Sequence, residues 1–146
     1  MIIYAIDDET IALSGLVDSI KEVCDDAVIY SFRFPEEALD QMEKTPCDVA
    51  FVDIEMSDIN GISLSEKFKQ INPEVNIIFS TGYKNYYEDA FELHASGYIV
   101  KPVTSEKVKK ELDNLRYRVK ATSKKLFAHC FGNFEVYANG MPIAFK

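Results

Sequence analysis

The sequence predicts a doubly wound α/β domain, in which a five-stranded parallel sheet carries helices on both faces. Two observations predict it. Short apolar runs alternate with helical segments five times within about 120 residues, and the helical segments place hydrophobic residues three or four positions apart. Strict alternation of strand and helix requires parallel strands joined by right-handed crossovers.

The first two units of this repeat are well marked. An apolar strand over residues 2–6 ends at the sequence Asp-Asp-Glu-Thr, and an amphipathic helix follows, which we expect to be capped by the acidic residues or by Thr10. Residues 28–32 form the second predicted strand. Pro35 opens the second helix, which runs to about Lys44, because proline suits the first helical position.

The third strand ends at a carboxylate. An apolar run through Phe51 and Val52 stops at Asp53, and a run of this kind predicts a strand that is buried on both faces. After the Asn-Gly pair at 60–61, a third helix ends before Pro73. The spacing of Leu64, Phe68 and Ile71 marks this helix.

The last two units complete the repeat. Residues 76–80 and 97–100 are predicted strands, which end at Thr81-Gly82 and Lys101-Pro102, and residues 86–93 form a short helix between them. Thr104 is the expected cap of the fifth helix. One face of that helix is predicted to hold Val108, Leu112, Leu115 and Val119.

The tail differs from the repeat. From residue 122 the chain is rich in aromatic and β-forming residues, and Asn139-Gly140 between extended segments predicts a hairpin. We therefore divide the chain into an α/β domain over residues 1–121 and a short β-rich segment over residues 122–146. The segment is expected to be a linker and the first strands of a second domain.

Composition limits the function. The net charge of -8 and the pI near 4.8 predict poor binding of nucleic acid by these residues alone, because the phosphate backbone repels an acidic domain. No run is long and apolar enough to span a membrane. The first residues lack the features of a signal peptide, so we expect a cytoplasmic protein.

Polar side chains follow four of the predicted strands at their carboxyl ends: Asp7 and Asp8 after the first, Asp53 after the third, Thr81 after the fourth and Lys101 after the fifth. In a parallel sheet these ends share one edge, which is where ligands bind in open α/β sheets. Two like charges ~4 Å apart repel by about 4 kcal/mol at an effective dielectric of ~20. A hard cation relieves that repulsion, and an all-oxygen set suits Mg²⁺.

This set of side chains is suited to accepting a phosphoryl group. An aspartate can act as a nucleophile toward phosphorus. Mg²⁺ and Lys101 would spread the charge of the transferring group, and the Thr81 hydroxyl would bond to one of its oxygens. Each residue alone is a weak signal, but their joint placement on four strands makes capping and surface roles improbable.

Over residues 1–120 the chain resembles the receiver domain of two-component response regulators. The motifs that carry the resemblance are Ile6-Asp7-Asp8-Glu9, Asp53 followed by Gly61, Ser80-Thr81-Gly82 and Tyr98-Ile99-Val100-Lys101-Pro102. The resemblance implies the flavodoxin-like (β/α)5 arrangement. It also implies that Asp53 is a phosphoacceptor for a histidine kinase, in a domain that is not an enzyme beyond self-catalysed phosphotransfer and slow dephosphorylation.

The resemblance assigns further roles. Asp8 and Asp53 would bind Mg²⁺ directly, together with the backbone carbonyl of Glu55, and Asp7 would act through water. Thr81 and Tyr98 would be the switch pair, and Lys101-Pro102 a cis peptide.

Two residues depart from the family pattern. Ser57 replaces the usual proline, which we expect to loosen the loop after Asp53. Gly82 replaces a small alanine, which leaves more room over the phosphoryl group.

The output is predicted from the tail and from an aromatic region. The sequence around Phe131-Gly132-Asn133 and Met141-Pro142 resembles the first strands of the winged-helix domain of antibiotic-regulatory-type activators. The full protein would then be a transcriptional regulator that contacts DNA only through a domain beyond Lys146. A homodimer through the fourth and fifth strand-helix units is expected, since four aromatic residues lie there: Tyr83, Tyr86, Tyr87 and Phe91.

Three alternatives remain at this point. A receiver without DNA output would signal through protein contacts alone. A phosphatase of the haloacid dehalogenase type is suggested by a loose echo of its Asp-x-Asp-x-Thr motif at residues 53–57, although Glu55 replaces the second aspartate and the motif does not follow the first strand. A flavodoxin-like cofactor binder is disfavoured because Asp7 and Asp8 would repel a bound phosphate.

Overall fold

The computed structural model describes residues 1–119, 134–138 and 141–142, in which strands and helices alternate as predicted. Their bounds, in chain order, are β1 Ile2–Ile6, α1 Thr10–Val23, β2 Val28–Phe32, α2 Pro35–Lys44, β3 Val49–Val52, α3 Gly61–Ile71, β4 Asn76–Thr81, α4 Tyr87–Glu92, β5 Gly97–Val100, α5 Ser105–Asp113, β6 Phe134–Ala138 and β7 Met141–Pro142.

The strands form one sheet in the order β5-β4-β3-β1-β2-β6-β7. The five strands of the repeat are mutually parallel, which confirms the predicted doubly wound fold. β6 adds to the free edge of β2 in the antiparallel direction, and β7 pairs antiparallel with β6. The predicted hairpin is therefore present, although its Asn139-Gly140 turn and the Phe131-Gly132-Asn133 sequence lie outside the described residues.

The alternation of side chains along the strands divides the core into two layers. In β1, Tyr4 and Ile6 face the layer covered by α2, α3 and α4, whereas Ile3 and Ala5 face the layer covered by α1 and α5. All four side chains are fully buried. The strands read as continuous apolar runs because both of their faces are covered. Among the described residues, no helix combines the length and the apolarity that a membrane span needs.

Helix ends differ from the sequence predictions in two places. Thr10 is the first residue of α1 rather than its cap; Glu9 holds the cap position without a side-chain bond, and the Glu9 N–H donates to Asp7 Oδ1 at 2.9 Å. α5 ends at Asp113, so Leu115 lies beyond the helix, although it still packs against the core. α3 ends at Ile71, as predicted, and this last residue is 36% exposed.

Two of the described helices have side-chain caps, of which Thr104 at the start of α5 confirms a prediction. The Asn60 side chain accepts a hydrogen bond from the Ile62 N–H at 2.7 Å, and Thr104 Oγ1 accepts one from the Lys107 N–H at 3.2 Å. These caps satisfy backbone donors that have no partner within the helix. Asn60 fixes the start of α3, and with it the loop that follows Asp53.

Gly61 is required at the start of α3. A methyl group on Gly61 would overlap the carbonyl oxygen of Asp53 and lie 2.8 Å from Ile54 Cα. Both obstacles are backbone atoms, which cannot move aside by changing rotamer. We expect Gly61→Ala to lower the free energy of unfolding by about 2 kcal/mol, as measured by urea denaturation.

Gly15 provides the matched control for that substitution. It lies inside α1, and a methyl group there would meet no atom within 4 Å. Because alanine has the higher helix propensity, Gly15→Ala should raise stability by up to about 1 kcal/mol. Equal stability of the two variants would contradict the role assigned to the close approach at Gly61.

Candidate functional site

The sheet brings the predicted site residues to one edge. Asp7 directly follows β1, Asp53 directly follows β3, Thr81 ends β4 and Lys101 directly follows β5. The backbones of Asp53 and Lys101 continue the hydrogen bonding between neighbouring strands. The Asp53 N–H donates to the Ile6 carbonyl at 3.0 Å, and the Lys101 N–H donates to the Thr81 carbonyl at 2.8 Å. The site is therefore built on rigid strand ends.

Three carboxylates cluster at this edge. Asp7, Asp8 and Asp53 each place one carboxylate oxygen within 4.8 Å of those of the other two. Asp7 and Asp53 are almost completely buried, at 1% and 6% exposure, whereas Asp8 is half-buried. Mg²⁺ prefers oxygen ligands and usually keeps several of its waters, for which the half-buried Asp8 leaves the cluster open on one side. The chemistry of these three side chains thus fits the cation that the sequence predicts.

Lys101 supplies the positive charge of the cluster. Its Nζ donates to Asp7 Oδ2 at 2.8 Å and lies 3.6 Å from Asp53 Oδ2. Burial alone would lower the pKa of Lys101, but the hydrogen bond and charge of Asp7, with the charge of Asp53, raise it above its usual value. Lys101 thus lies near Asp53, but its closer partner is Asp7.

Asp53 is the carboxylate most affected by its surroundings. Burial, followed by the negative charge of Asp7, raises its pKa from 3.8 to about 6, against the opposing effect of Lys101. The backbone of Asp53 is fixed by the hydrogen bond from its N–H to the Ile6 carbonyl, and the residue is only 6% exposed. A nearby cation or positively charged group would therefore stabilise the ionised form of this carboxylate.

The raised pKa of Asp53 predicts how stability depends on pH without metal. The folded-state pKa lies above the unfolded value, so the stabilising contribution is complete below about pH 4 and is lost as the pH rises through about 6. In EDTA, the free energy of unfolding of Asp53→Asn minus that of the wild type should grow by roughly 1 to 3 kcal/mol from about pH 4 to about pH 8. Urea denaturation at several pH values measures this; a constant difference would contradict it.

Asp8 is held by a residue that sequence reasoning did not assign to the site. Ser57 donates two hydrogen bonds to Asp8 Oδ2, from its N–H at 3.0 Å and from its Oγ at 2.8 Å. Instead of simply loosening the loop after Asp53, Ser57 ties that loop to the segment that follows β1. The two residues lie 49 positions apart, so nothing in the sequence pattern could have paired them.

Glu55 makes a contact on the outer side of the same loop. Its Oε1 accepts a hydrogen bond from the Tyr86 hydroxyl at 2.8 Å, and this bond raises the pKa of Tyr86. The Glu55 side chain is exposed and occupied with Tyr86 rather than directed into the acidic cluster. Any role of Glu55 toward a cation would therefore fall to its backbone carbonyl, as the resemblance implies.

The predicted switch residues are connected through one residue, Tyr83. Thr81 is fully buried, and its Oγ1 accepts a long hydrogen bond of 3.4 Å from the Tyr83 N–H. The Tyr83 carbonyl in turn accepts a short hydrogen bond from the Tyr98 hydroxyl. Lys101-Pro102 is a cis peptide, as predicted.

The aromatic region of the fourth unit is largely at the surface. Tyr83 and Tyr87 are each 51% exposed and Phe91 is 82% exposed, whereas Tyr86 packs partly against the core. The Tyr87 ring lies 4.3 Å from the ring of Tyr98, centroid to centroid. Three of the four aromatic residues therefore leave a substantial area open next to the switch.

Comparison with known proteins places this geometry in a family. The sequence profile of the response regulator receiver domain matches residues 3–113, which is most of the chain. The chain belongs to the response regulator receiver family. Such domains are signalling components of two-component systems that interact with histidine kinases. The match favours the receiver over the phosphatase and the cofactor binder.

Curated relatives are regulators of greater length. The chain is 34% identical over 109 residues to the sensory transduction protein LytT of Bacillus anthracis, which covers 73% of this chain and 43% of that protein. It is 31% identical over 111 residues to the transcriptional regulatory protein LytR of Staphylococcus aureus, covering 76% and 45%. The chain thus spans less than half of the length of these relatives.

Solved structures agree with the receiver fold. The response regulatory domain of protein mrkE from Klebsiella pneumoniae superposes with a TM-score of 0.70 at 28% identity, covering 79% of this chain and 94% of that chain. The response regulator TrrA from Thermotoga maritima, solved in complex with Mg²⁺-BeF, superposes with a TM-score of 0.68 at 26% identity, covering 77% and 96%.

Proposed function

We propose that this chain is the phosphoacceptor domain of a response regulator, in which Asp53 takes a phosphoryl group from a histidine kinase. One observation carries the proposal. The nearly buried Asp53 carboxylate clusters with those of Asp7 and Asp8 and lies 3.6 Å from the Lys101 ammonium. This arrangement joins a nucleophile, the ligands for a divalent cation and a positive charge at one strand edge.

The cation would be held by the acidic cluster and its loop. Asp8 and Asp53 would bind Mg²⁺ directly, Glu55 would contribute its backbone carbonyl, and Asp7 would act through water. Mg²⁺, when bound, neutralises negative charge on the phosphoryl oxygens and the leaving group. Lys101 is already oriented by its 2.8 Å hydrogen bond to Asp7, so it holds a positive charge near Asp53 without rearrangement.

The transfer is a displacement at phosphorus. A carboxylate oxygen of Asp53 forms the new O–P bond while the P–N bond to the kinase imidazole breaks, and the electron pair of that bond leaves with the imidazole nitrogen. Asp53 must be ionised to attack. A pKa of about 6 leaves it largely ionised at neutral pH, and Lys101 favours that form.

Intact-mass measurement with acetyl phosphate tests the proposal. We expect Mg²⁺-dependent addition of a single phosphoryl group, which EDTA prevents and which is lost slowly after the donor is removed. Sustained turnover of p-nitrophenyl phosphate without a stable adduct would instead indicate a phosphatase. Absence of any Mg²⁺-dependent adduct would contradict the proposal.

The switch would act through Thr81, Tyr83 and Tyr98. A phosphoryl group on Asp53 offers the Thr81 hydroxyl a charged acceptor, which is a stronger partner than the 3.4 Å contact with the Tyr83 N–H. When Thr81 moves, Tyr98 turns inward to fill the space, and its hydrogen bond to the Tyr83 carbonyl must break. The surface of the fourth and fifth units changes as a result.

The output would be control of transcription by a homodimer in the cytoplasm. The name of the related LytR, a transcriptional regulatory protein, supports this, as does the resemblance of the tail to a winged-helix domain. DNA would be contacted through a domain outside these residues. The exposed aromatic residues of the fourth unit, next to Tyr98, suit the dimer contact.

Tyr98→Ala tests the switch. The substitution removes both the ring that packs against Tyr87 and the hydroxyl that binds Tyr83. We expect phosphorylation to remain, and phosphorylation-dependent dimerisation, measured by sedimentation, to weaken by about tenfold or more. Tyr98→Phe keeps the ring and loses only the hydroxyl, so its dimerisation should be weaker than that of the wild type and stronger than that of Tyr98→Ala. Unchanged dimerisation of Tyr98→Ala would contradict this switch.

A further inference from the structure

The strongest feature that the proposed function does not use is the pair of hydrogen bonds from Ser57 to Asp8. The N–H and the Oγ of Ser57 converge on one carboxylate oxygen, Oδ2, at 3.0 and 2.8 Å. Hydrogen bonds to a carboxylate are stronger than neutral ones. They fix the rotamer of a side chain that is only half-buried and has few other constraints.

The two bonds leave the other oxygen of Asp8 available. Among the residues that the structure describes, no hydrogen bond reaches Asp8 Oδ1. In the orientation that Ser57 imposes, a carboxylate oxygen of Asp8 already lies within 4.8 Å of oxygens of Asp7 and Asp53. The three carboxylates are therefore already close together while Ser57 holds Asp8 through its Oδ2 atom.

Holding Asp8 in this place opposes electrostatics. The charges of Asp7 and Asp53 repel Asp8, and Lys101 directs its short hydrogen bond to Asp7, not to Asp8. A half-buried aspartate without a tether would turn toward solvent and would have to be ordered again when a cation binds. Ser57 supplies the donors that offset this repulsion.

We propose that Ser57 is a positioning residue that holds Asp8 in the acidic cluster and thereby raises the affinity of the site for a divalent cation. The inference rests on the proposed function, because it takes the cluster to be a cation site. A proline at this position, which is usual in the family, has neither the N–H nor the hydroxyl. The tether is thus a property of this chain rather than of its fold.

Titration with MgCl₂, without any phosphodonor, tests the proposal. Backbone amide shifts in two-dimensional NMR spectra give the dissociation constant for each variant. Ser57→Ala removes the Oγ bond and keeps the N–H bond, so we expect Mg²⁺ affinity to fall by about tenfold, the lower end of the range for residues that orient metal ligands. Ser57→Thr keeps a hydroxyl and should restore the affinity to within about twofold.

Ser105→Ala is the matched control. Ser105 Oγ also donates to a carboxylate, Glu22 Oε2, at 2.6 Å, but it lies at the start of α5 and outside the acidic cluster. The loss of this similar bond should leave Mg²⁺ affinity unchanged, whereas a purely structural effect of losing a serine hydroxyl would appear in both variants.

The outcomes separate this inference from the proposed function. If the wild type binds Mg²⁺ at the cluster and Ser57→Ala binds it equally well, the positioning role is wrong and the proposed function stands. Tighter binding by Ser57→Ala would also overturn the inference, because Ser57 would then compete with the cation for Asp8. A wild type that shows no shifts of Asp7, Asp8 or Asp53 would contradict both.

Discussion

Asp53→Asn should abolish the Mg²⁺-dependent uptake of a phosphoryl group. The amide is neutral and has no oxygen nucleophile comparable to a carboxylate, so the new O–P bond cannot form at this position. The substitution also removes one of the three negative charges at the strand edge. Mg²⁺ affinity should therefore fall together with phosphorylation, while the fold is kept or stabilised in the absence of metal.

The measurement is intact mass after incubation with acetyl phosphate and Mg²⁺, with Asp58→Asn as the control. Asp58 lies in the same loop and is exposed, so its substitution changes the net charge equally without touching the cluster. Asp58→Asn should be labelled like the wild type. Labelling of Asp53→Asn at the wild-type rate would remove Asp53 from its proposed role.

Lys101→Met is the second substitution with a large expected effect. It removes the ammonium that lies 2.8 Å from Asp7 and 3.6 Å from Asp53. The rate of phosphoryl uptake should fall by about 10² to 10³, as for loss of one positioned stabiliser of transition-state charge. Because Asp7 is only 1% exposed, losing its partner should also lower stability by about 1 to 3 kcal/mol at neutral pH.

Lys109→Met is the matched control for this change. Lys109 bonds to Asp113 at the same distance of 2.8 Å, but both side chains are more than half exposed, at 65% and 60%. An exposed pair of this kind contributes little, about 0.5 kcal/mol or less, and it lies in α5. Initial labelling rates and urea midpoints should be compared for Lys101→Met and Lys109→Met. Similar effects of the two substitutions would contradict the role assigned to the buried ion pair of Lys101 and Asp7.

The fold could be predicted from the sequence because strands that are covered on both faces of the sheet are apolar along nearly their whole length. Runs such as residues 28–32 are apolar at nearly every position, and both the bounds and the parallel pairing of β2 were predicted. The end of α5 was missed since Leu115 and Val119 continue a helical spacing although they pack against the core from beyond the helix. The spacing of apolar residues indicates which side chains are buried, but it does not show whether the backbone at those residues is helical.

The acidic cluster could be predicted for a topological reason. Parallel strands bring their carboxyl ends to one edge, so Asp7 and Asp53 meet whatever the details of packing. The partners of the cluster could not be predicted in the same way. Ser57 reaches Asp8 and Tyr86 reaches Glu55 from loops, and loop conformation depends on local contacts that no spacing reveals.

The tail shows a third limit. The hairpin of β6 and β7 followed from Asn139-Gly140, but its attachment to β2 did not. An edge strand offers unpaired backbone groups to any extended segment, and these groups carry no sequence signature. The choice of β2 over another edge therefore lay beyond pattern analysis.

The position of the phosphoryl group is the most direct test of the account. Reduction of the labelled protein with borohydride converts a phosphorylated aspartate to homoserine, which peptide mass mapping then locates. We predict a single site, at Asp53, that depends on Mg²⁺. Homoserine at Asp7, at Asp8 or at a residue outside the strand edge would contradict the assignment of Asp53 as the phosphoacceptor.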